Sequence, residues 1–312
     1  MFVTQQLKLM GTVIDIQIES DKACQQLSRV IDLLYTYKNR FSANDSNSEL
    51  MAINQAAGVK PVSVHSDLFN LVQIGKAHSL STPSNLNIAI GPLVQAWRIG
   101  FEDARVPSHN LISQQLALTD PRQVLIDDKK QTVFLQQVGM ALDLGALAKG
   151  YITDKIMAYL IEDGIDSALI NLGGNVRVHG PNPKSPDKTF RIGIQKPEAK
   201  RGQHLGVIKV NNHSVVTSGI YERQFTAKGK QYHHILDRQT GYPIETDMLS
   251  LTIMAPSSLD CDIWATRLFG LDSSMIITLL NTFDNIEGLL VTRKHHVLMS
   301  NGLRHYFQPY YH

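Results

Sequence analysis

The chain has 312 residues, room for one large domain or two ordinary ones at ~100–200 residues each. With 43% hydrophobic and 19% charged residues it is neither disordered nor collagen-like, and a net charge of +2 gives no electrostatic grip on nucleic acid or an anionic membrane. No apolar run approaches the ~18 residues of a membrane span, and Cys24 and Cys261 make neither a disulfide framework nor metal-site spacing.

The opening segment MFVTQQLKLMGTVIDIQIES lacks the charged start, apolar stretch and cleavage site of a signal peptide, which points to a cytoplasmic protein. Ile14, Ile16 and Ile18 alternate with polar residues, the period-2 pattern of a half-buried strand. A helix is expected next, capped by Ser20, with Ala23, Leu27, Val30, Ile31 and Leu34 on one face. Another follows Ser66, with Leu68, Leu71 and Val72 inward. From about Leu147 to Asp163 a stripe of Ile152, Ile156, Tyr159 and Leu160 predicts a helix closed by Gly164. SALIN, the turn around Gly173-Gly174 and VRVHG then read as strand, turn and strand. Further strands are expected at Phe190–Ile194, Leu205–Val210 and Leu249–Met254, and a late helix at Ser258–Leu271 with Leu259, Ile263, Leu268 and Leu271 apolar. Hairpins mixed with isolated helices, without βαβ alternation, argue for an α+β fold. Nothing marks a boundary, so residues 1–312 read as one unit.

Three segments concentrate groups able to do chemistry. In DLGALAKGYITD, Gly145 and Gly150 bracket a turn entering a helix, with Asp143 before it and Lys149 within it. Such a turn lets backbone amides approach an anion, and a lysine adds a full charge for phosphate; a glycine-eased turn with a solvated lysine is the plain alternative. On the late helix, Asp262 and Thr266 stand at i and i+4, so a carboxylate and a hydroxyl share one face. These are hard oxygen ligands suited to Mg²⁺, unless the threonine bonds back to its own turn. In YHHILDRQTGYP, adjacent His233 and His234 face opposite sides of a strand, so only one can enter a site as a base. Either could instead be held structurally.

In this order, LMGT, FSANDSNSEL, NIAIGPLVQAWRIGF, DLGALAKGYITD, SALINLGGNVRVHG, TSGIYERQF, HHILDRQTGYP and SLDCDIWATRLF resemble the ApbE family of FAD:protein FMN transferases along nearly the whole chain. The resemblance implies an α+β fold of two intertwined, T-fold-like halves of mainly antiparallel sheet with packed helices. It also implies Mg²⁺-dependent transfer of FMN from FAD to a Thr or Ser hydroxyl of an acceptor flavoprotein, with release of AMP. FAD and the acceptor are then the partners, with no nucleic acid and no membrane span. Metal ligands carry over to the Ala146 carbonyl, Asp262 and Thr266. Flavin-nucleotide contacts carry over to Met10, Asn44, Asn85, Leu86, Asn87, Asp143, Lys149 and His234. Lys149 and His234 become the catalytic pair, His234 accepting the proton of the acceptor hydroxyl.

The sequence departs from the family pattern at four places. Asn44 replaces an aromatic that would stack on flavin, Asn87 and Ile220 fill acidic slots, and Ala265 removes a possible oxygen next to Thr266. These departures keep two other outcomes open: a Mg²⁺-dependent FAD pyrophosphatase that yields FMN and AMP, and a flavin-binding module without catalysis.

Overall fold

A computed structural model describes residues 1–310. The chain opens with the hairpin β1 (Phe2–Leu9) and β2 (Thr12–Glu19). Helices α1 (Ala23–Phe41) and α2 (Glu49–Gln55), strand β3 (Val62–Ser63) and helix α3 (Ser66–Leu80) follow. Next come α4 (Gly91–Trp97), α5 (His109–Leu116), β4 (Val124–Asp127), β5 (Thr132–Leu135) and α6 (Ala148–Glu162). The strands β6 (Ser167–Leu172), β7 (Asn175–His179), β8 (Phe190–Gln195), β9 (His204–Val210) and β10 (Ser214–Gly219) lead to a small hairpin, β11 (Gln224–Ala227) and β12 (Lys230–His233). The chain closes with β13 (Met248–Ala255), α7 (Ser258–Leu268), α8 (Ser273–Leu280), β14 (Glu287–Thr292), β15 (Val297–Met299) and β16 (Phe307–Pro309).

Eight strands form one antiparallel sheet in the order β1-β2-β6-β7-β10-β13-β14-β15, which bears out the α+β expectation. Its first half is covered by helices: Ile14, Ile16 and Ile18 of β2 share a core with α1, α3 and α6. Its second half is covered on both sides. Leu251 and Ile253 of β13 pack with α7 and α8, while Met254 joins the core shared with β8 and β9. Every residue of β13 is therefore buried, and no polar alternation marks it in the sequence. No helix among the described residues is long and apolar enough to cross a membrane.

Most expected elements lie within a residue or two of their places, and Gly164 does end α6 with φ +78°. Two expectations need correction. Ser20 does not cap α1: its hydroxyl accepts the Lys22 amide in a turn before the helix, and Lys22 occupies the cap position without a side-chain bond. The late helix ends at Leu268, since Gly270, at φ +95°, reverses the chain before Leu271. Helix α2 was not anticipated, although Ser48 caps it on the Met51 amide.

The β6–β7 hairpin turns through Gly173 and Gly174 at φ +60° and +92°, the two-residue loop its glycines suit. A Cβ on Gly173 would also collide with Thr12, because the tips of the β1–β2 and β6–β7 hairpins are pressed together. Gly173→Ala is expected to destabilise the protein by about 2 kcal/mol through strain and collision, read as a lower urea midpoint with an unchanged slope.

Candidate active site

Helices α6 and α7 meet at their N-termini, where each supplies a carboxylate to the other. Asp262, in the second turn of α7, accepts the Gly150 amide at 2.6 Å in the first turn of α6. Asp154, one turn further along α6, accepts the Ser258 and Leu259 amides at 2.8 and 2.9 Å and the Ser257 hydroxyl at 2.9 Å. It is also paired with Arg177 of β7. The first amides of a helix lack intrahelical acceptors, so each carboxylate satisfies donors its partner helix leaves open. Only glycine permits this approach at position 150, since a Cβ there would lie 2.5 Å from the Ser258 carbonyl oxygen.

A regular turn would direct the Gly150 amide to the Ala146 carbonyl, four residues earlier; instead that amide goes to Asp262. Among the described residues no backbone amide bonds the Ala146 carbonyl, and Ala146 is exposed. Thr266 is half-buried one turn beyond Asp262, and its hydroxyl does not bond back to the preceding turn as those of Thr36 and Thr278 do. Among the described residues no three His, Cys, Asp or Glu side chains gather as a metal site. A cation here would rest on one carboxylate, one hydroxyl and one carbonyl, with the remaining positions left for water and phosphate, which is the habit of Mg²⁺.

Burial raises the Asp262 carboxyl to about 6, while Lys149 and the Gly150 amide pull the other way. Asn175, the first residue of β7, is fully buried beside it, with its oxygen accepting the Ser258 hydroxyl at 2.5 Å. The Asn175 Nδ2 makes no hydrogen bond of good geometry, yet it lies close enough to favour the ionised carboxylate. Lys149 is half-buried and unpaired by any carboxylate at salt-bridge distance among the described residues.

The two histidines divide as the strand period requires. His233 is buried, with Nε2 on the Ile244 carbonyl at 3.1 Å, so its role is structural. His234 turns the other way; both its amide and Nδ1 reach the Arg223 carbonyl, at 3.1 and 3.2 Å. A carbonyl can only accept, so Nδ1 carries the hydrogen and Nε2 keeps a lone pair. Desolvation first, then the charges of Arg223 and Lys149, push the His234 pKa down to about 4. The ring is neutral at pH 7 although part of its surface meets solvent.

Asp143 and Asn44 line one cleft of about 430 Å³ with Met51, Gln95, Arg98 and Phe101. Burial raises the Asp143 carboxyl, and the Gly145 amide, donating at 2.8 Å, and the Arg223 charge oppose the shift. Arg223 thus serves both Asp143 and His234, and it escaped the sequence reading because nothing in TSGIYERQF ties it to either motif.

Three expected contacts have side chains engaged elsewhere. Asn85 donates to the Leu236 carbonyl and accepts the Arg238 amide, Leu86 lies in the core, and Asn87 bonds the Thr119 carbonyl and the Ala89 amide. Met10, at φ +52°, forms the tip of the first hairpin, beside the Gly173 turn and so at the Asn175 end of the sheet. Ile220 and Ala265 are both buried in the core around β13. Ala265, three residues after Asp262 on α7, brings a methyl group where the sequence pattern leads one to expect an oxygen, and that methyl packs in this core.

A carboxyl raised by burial costs stability in its ionised form. That cost is absent below the unfolded value near 3.8, grows as pH rises, and is complete above about 6. Asp262→Asn keeps an oxygen for Gly150, so it is expected to stabilise the metal-free protein at pH 7.5 by up to about 3 kcal/mol. The gain should fade towards pH 4, as followed by thermal unfolding across that range.

The ApbE family profile matches residues 10–290. An FAD:protein FMN transferase of Klebsiella pneumoniae (strain 342) is 43% identical over 302 residues, covering 96% of this chain and 92% of that protein. One of Treponema pallidum (strain Nichols) is 35% identical over 310 residues, covering 95% and 86%. The crystal structure of the ApbE protein from Thermotoga maritima superposes with a TM-score of 0.90 at 26% identity, covering 99% of this chain and all of that one. With its fold, its motifs and most of its length shared with these proteins, the chain belongs to the ApbE family.

Proposed function

We propose that the protein is an FAD:protein FMN transferase, moving FMN from FAD to a Thr or Ser hydroxyl of an acceptor flavoprotein with Mg²⁺ and releasing AMP. The observation that carries this reading is the bond from the Gly150 amide to Asp262, which leaves the Ala146 carbonyl without a backbone donor at the turn entering α6, with Lys149 and the neutral His234 among the charges of the same site. The relatives' name, FAD:protein FMN transferase, supports the same chemistry.

Ala146, Asp262 and Thr266 would hold the Mg²⁺, which when bound neutralises charge gathering on the phosphates. Lys149 adds a second positive charge, and Asp143 helps set the nucleotide in the cleft. The acceptor hydroxyl gives its proton to His234 Nε2 as its oxygen attacks the FMN phosphorus. The new phosphoester P–O bond forms, the bond to the bridging oxygen breaks, and AMP leaves with that electron pair. A base with a pKa near 4 is weak, but negative phosphates entering the site raise it towards the useful range. Most of the acceleration then comes from positioning and charge stabilisation.

A second reading shares the site. Asn44 is exposed on the cleft rim and brings no ring to cover a bound flavin, so water has a route to the same phosphorus. Incubation with FAD, Mg²⁺ and candidate acceptors should add one FMN to an acceptor, weighed by mass spectrometry, with AMP released in equal amount. AMP formed at the same rate without any acceptor would establish the hydrolase instead. Asp262→Ala is expected to lower Mg²⁺-dependent turnover by roughly a hundredfold or more, and near-normal turnover would remove the metal assignment.

A further inference from the structure

The hairpin β11–β12 stands apart from the other sheets. It is a two-stranded sheet of its own, and among the described residues no backbone hydrogen bond joins either strand to a third segment. One face is anchored: Phe225 stacks on Tyr232 with centroids 5.5 Å apart, and Tyr232 leans on the buried Trp97 at 5.5 Å. The other face exposes Gln224, Thr226 and Gln231 and ends on the buried His233, while exposed Lys230 lies on the aromatic side with its Nζ 5.6 Å from the Tyr232 ring centroid. Both ends are rooted in the site, since Arg223 precedes β11 and His234 follows β12, joined by the bonds to the Arg223 carbonyl.

The segment RQFTAKGKQYHH, residues 223–234, carries Arg223, Lys228 and Lys230 and no carboxylate. Among the described residues none of these three cations lies in an ion pair. At about 3.4 Å per residue, Lys230 lies roughly 13 Å along the strand from His234, with Lys228 in the turn beyond it. Those lysines are too far out to serve phosphates split beside His234. Unsatisfied strand edges and fixed positive charge leading away from a reactive centre suit an extended, acidic polypeptide.

We propose that the β11–β12 hairpin is the docking strip for the acceptor protein. An extended acceptor segment lies along it, with its Thr or Ser hydroxyl at His234 and its carboxylates roughly four residues away, opposite Lys228 and Lys230. This rests on the FMN-transfer reading and names how the acceptor is recognised.

The test uses two synthetic peptides, each with a central Thr, carrying either Asp or Lys four residues from it. Binding to the FAD-loaded protein is read by fluorescence anisotropy. The acidic peptide should bind more tightly than the basic one, weaken with salt, and lose about tenfold or more in affinity on Lys228→Glu/Lys230→Glu. Lys228→Gln/Lys230→Gln should fall between, with FAD affinity unchanged in both variants. Equal binding of the two peptides, unaltered binding of the acidic peptide to the charge-reversed protein, or an equal loss of FAD affinity would overturn the assignment. A wild-type protein that binds no FAD would defeat the FMN-transfer reading, while the peptide comparison would still judge the hairpin.

Discussion

The structure turns on two carboxylates exchanged between helices. Asp262 leaves α7 for an amide of α6, and Asp154 leaves α6 for amides of α7. Each helix N-terminus carries partial positive charge and unsatisfied donors, so each acid gains both a hydrogen bond and a favourable dipole. Two positive helix ends that would otherwise repel are thereby held together, and Arg177 ties the pair to the central sheet through β7. Because the Gly150 amide is diverted, the Ala146 carbonyl is left without a backbone donor. A structural bond thus leaves a backbone oxygen unspent at the entrance to α6.

The electrostatic character of the site follows from crowding. Asp262 and Asp143 are both raised by burial, whereas His234 is lowered by it, and Lys149 and Arg223 push in the expected direction on each. All three groups are drawn towards neutrality, the usual result of desolvation exceeding pairing. A dianionic phosphate chain and a divalent cation entering together would reverse that balance, because each supplies the charge that the resident groups lack.

The segment from Ser81 to Asn87 shows how support can hide behind an apparent contact. The Arg238 guanidinium donates to the carbonyls of Ser79, Ser84 and Leu86, while Arg267 holds the Pro83 carbonyl. The Asn85 amide completes the clamp on the Arg267 carbonyl at 2.9 Å. Arg267 directly follows Thr266, so this clamp also fixes the end of α7 that carries the hydroxyl. Arginines directed at several backbone oxygens set a loop firmly, because a guanidinium spans several carbonyls at once.

Much of this was legible in the amino-acid order. Period-2 alternation in β2, the Gly-Gly turn of β6–β7 and the glycine closing α6 follow from local sterics, and the i, i+4 spacing of Asp262 and Thr266 fixed their common face. Four features were decided only when distant segments met. Asn85 and Asn87 spend their amides on neighbours far along the chain, Ala265 turns into the core, Arg223 comes beside Asp143 and His234, and the Ala146 carbonyl is released by an acid 116 residues later, the separation of positions 146 and 262. Local order dictates which way a side chain leaves its own backbone; what it then meets is set by packing, because a hydrogen bond or a desolvated charge depends on partners that no short window contains.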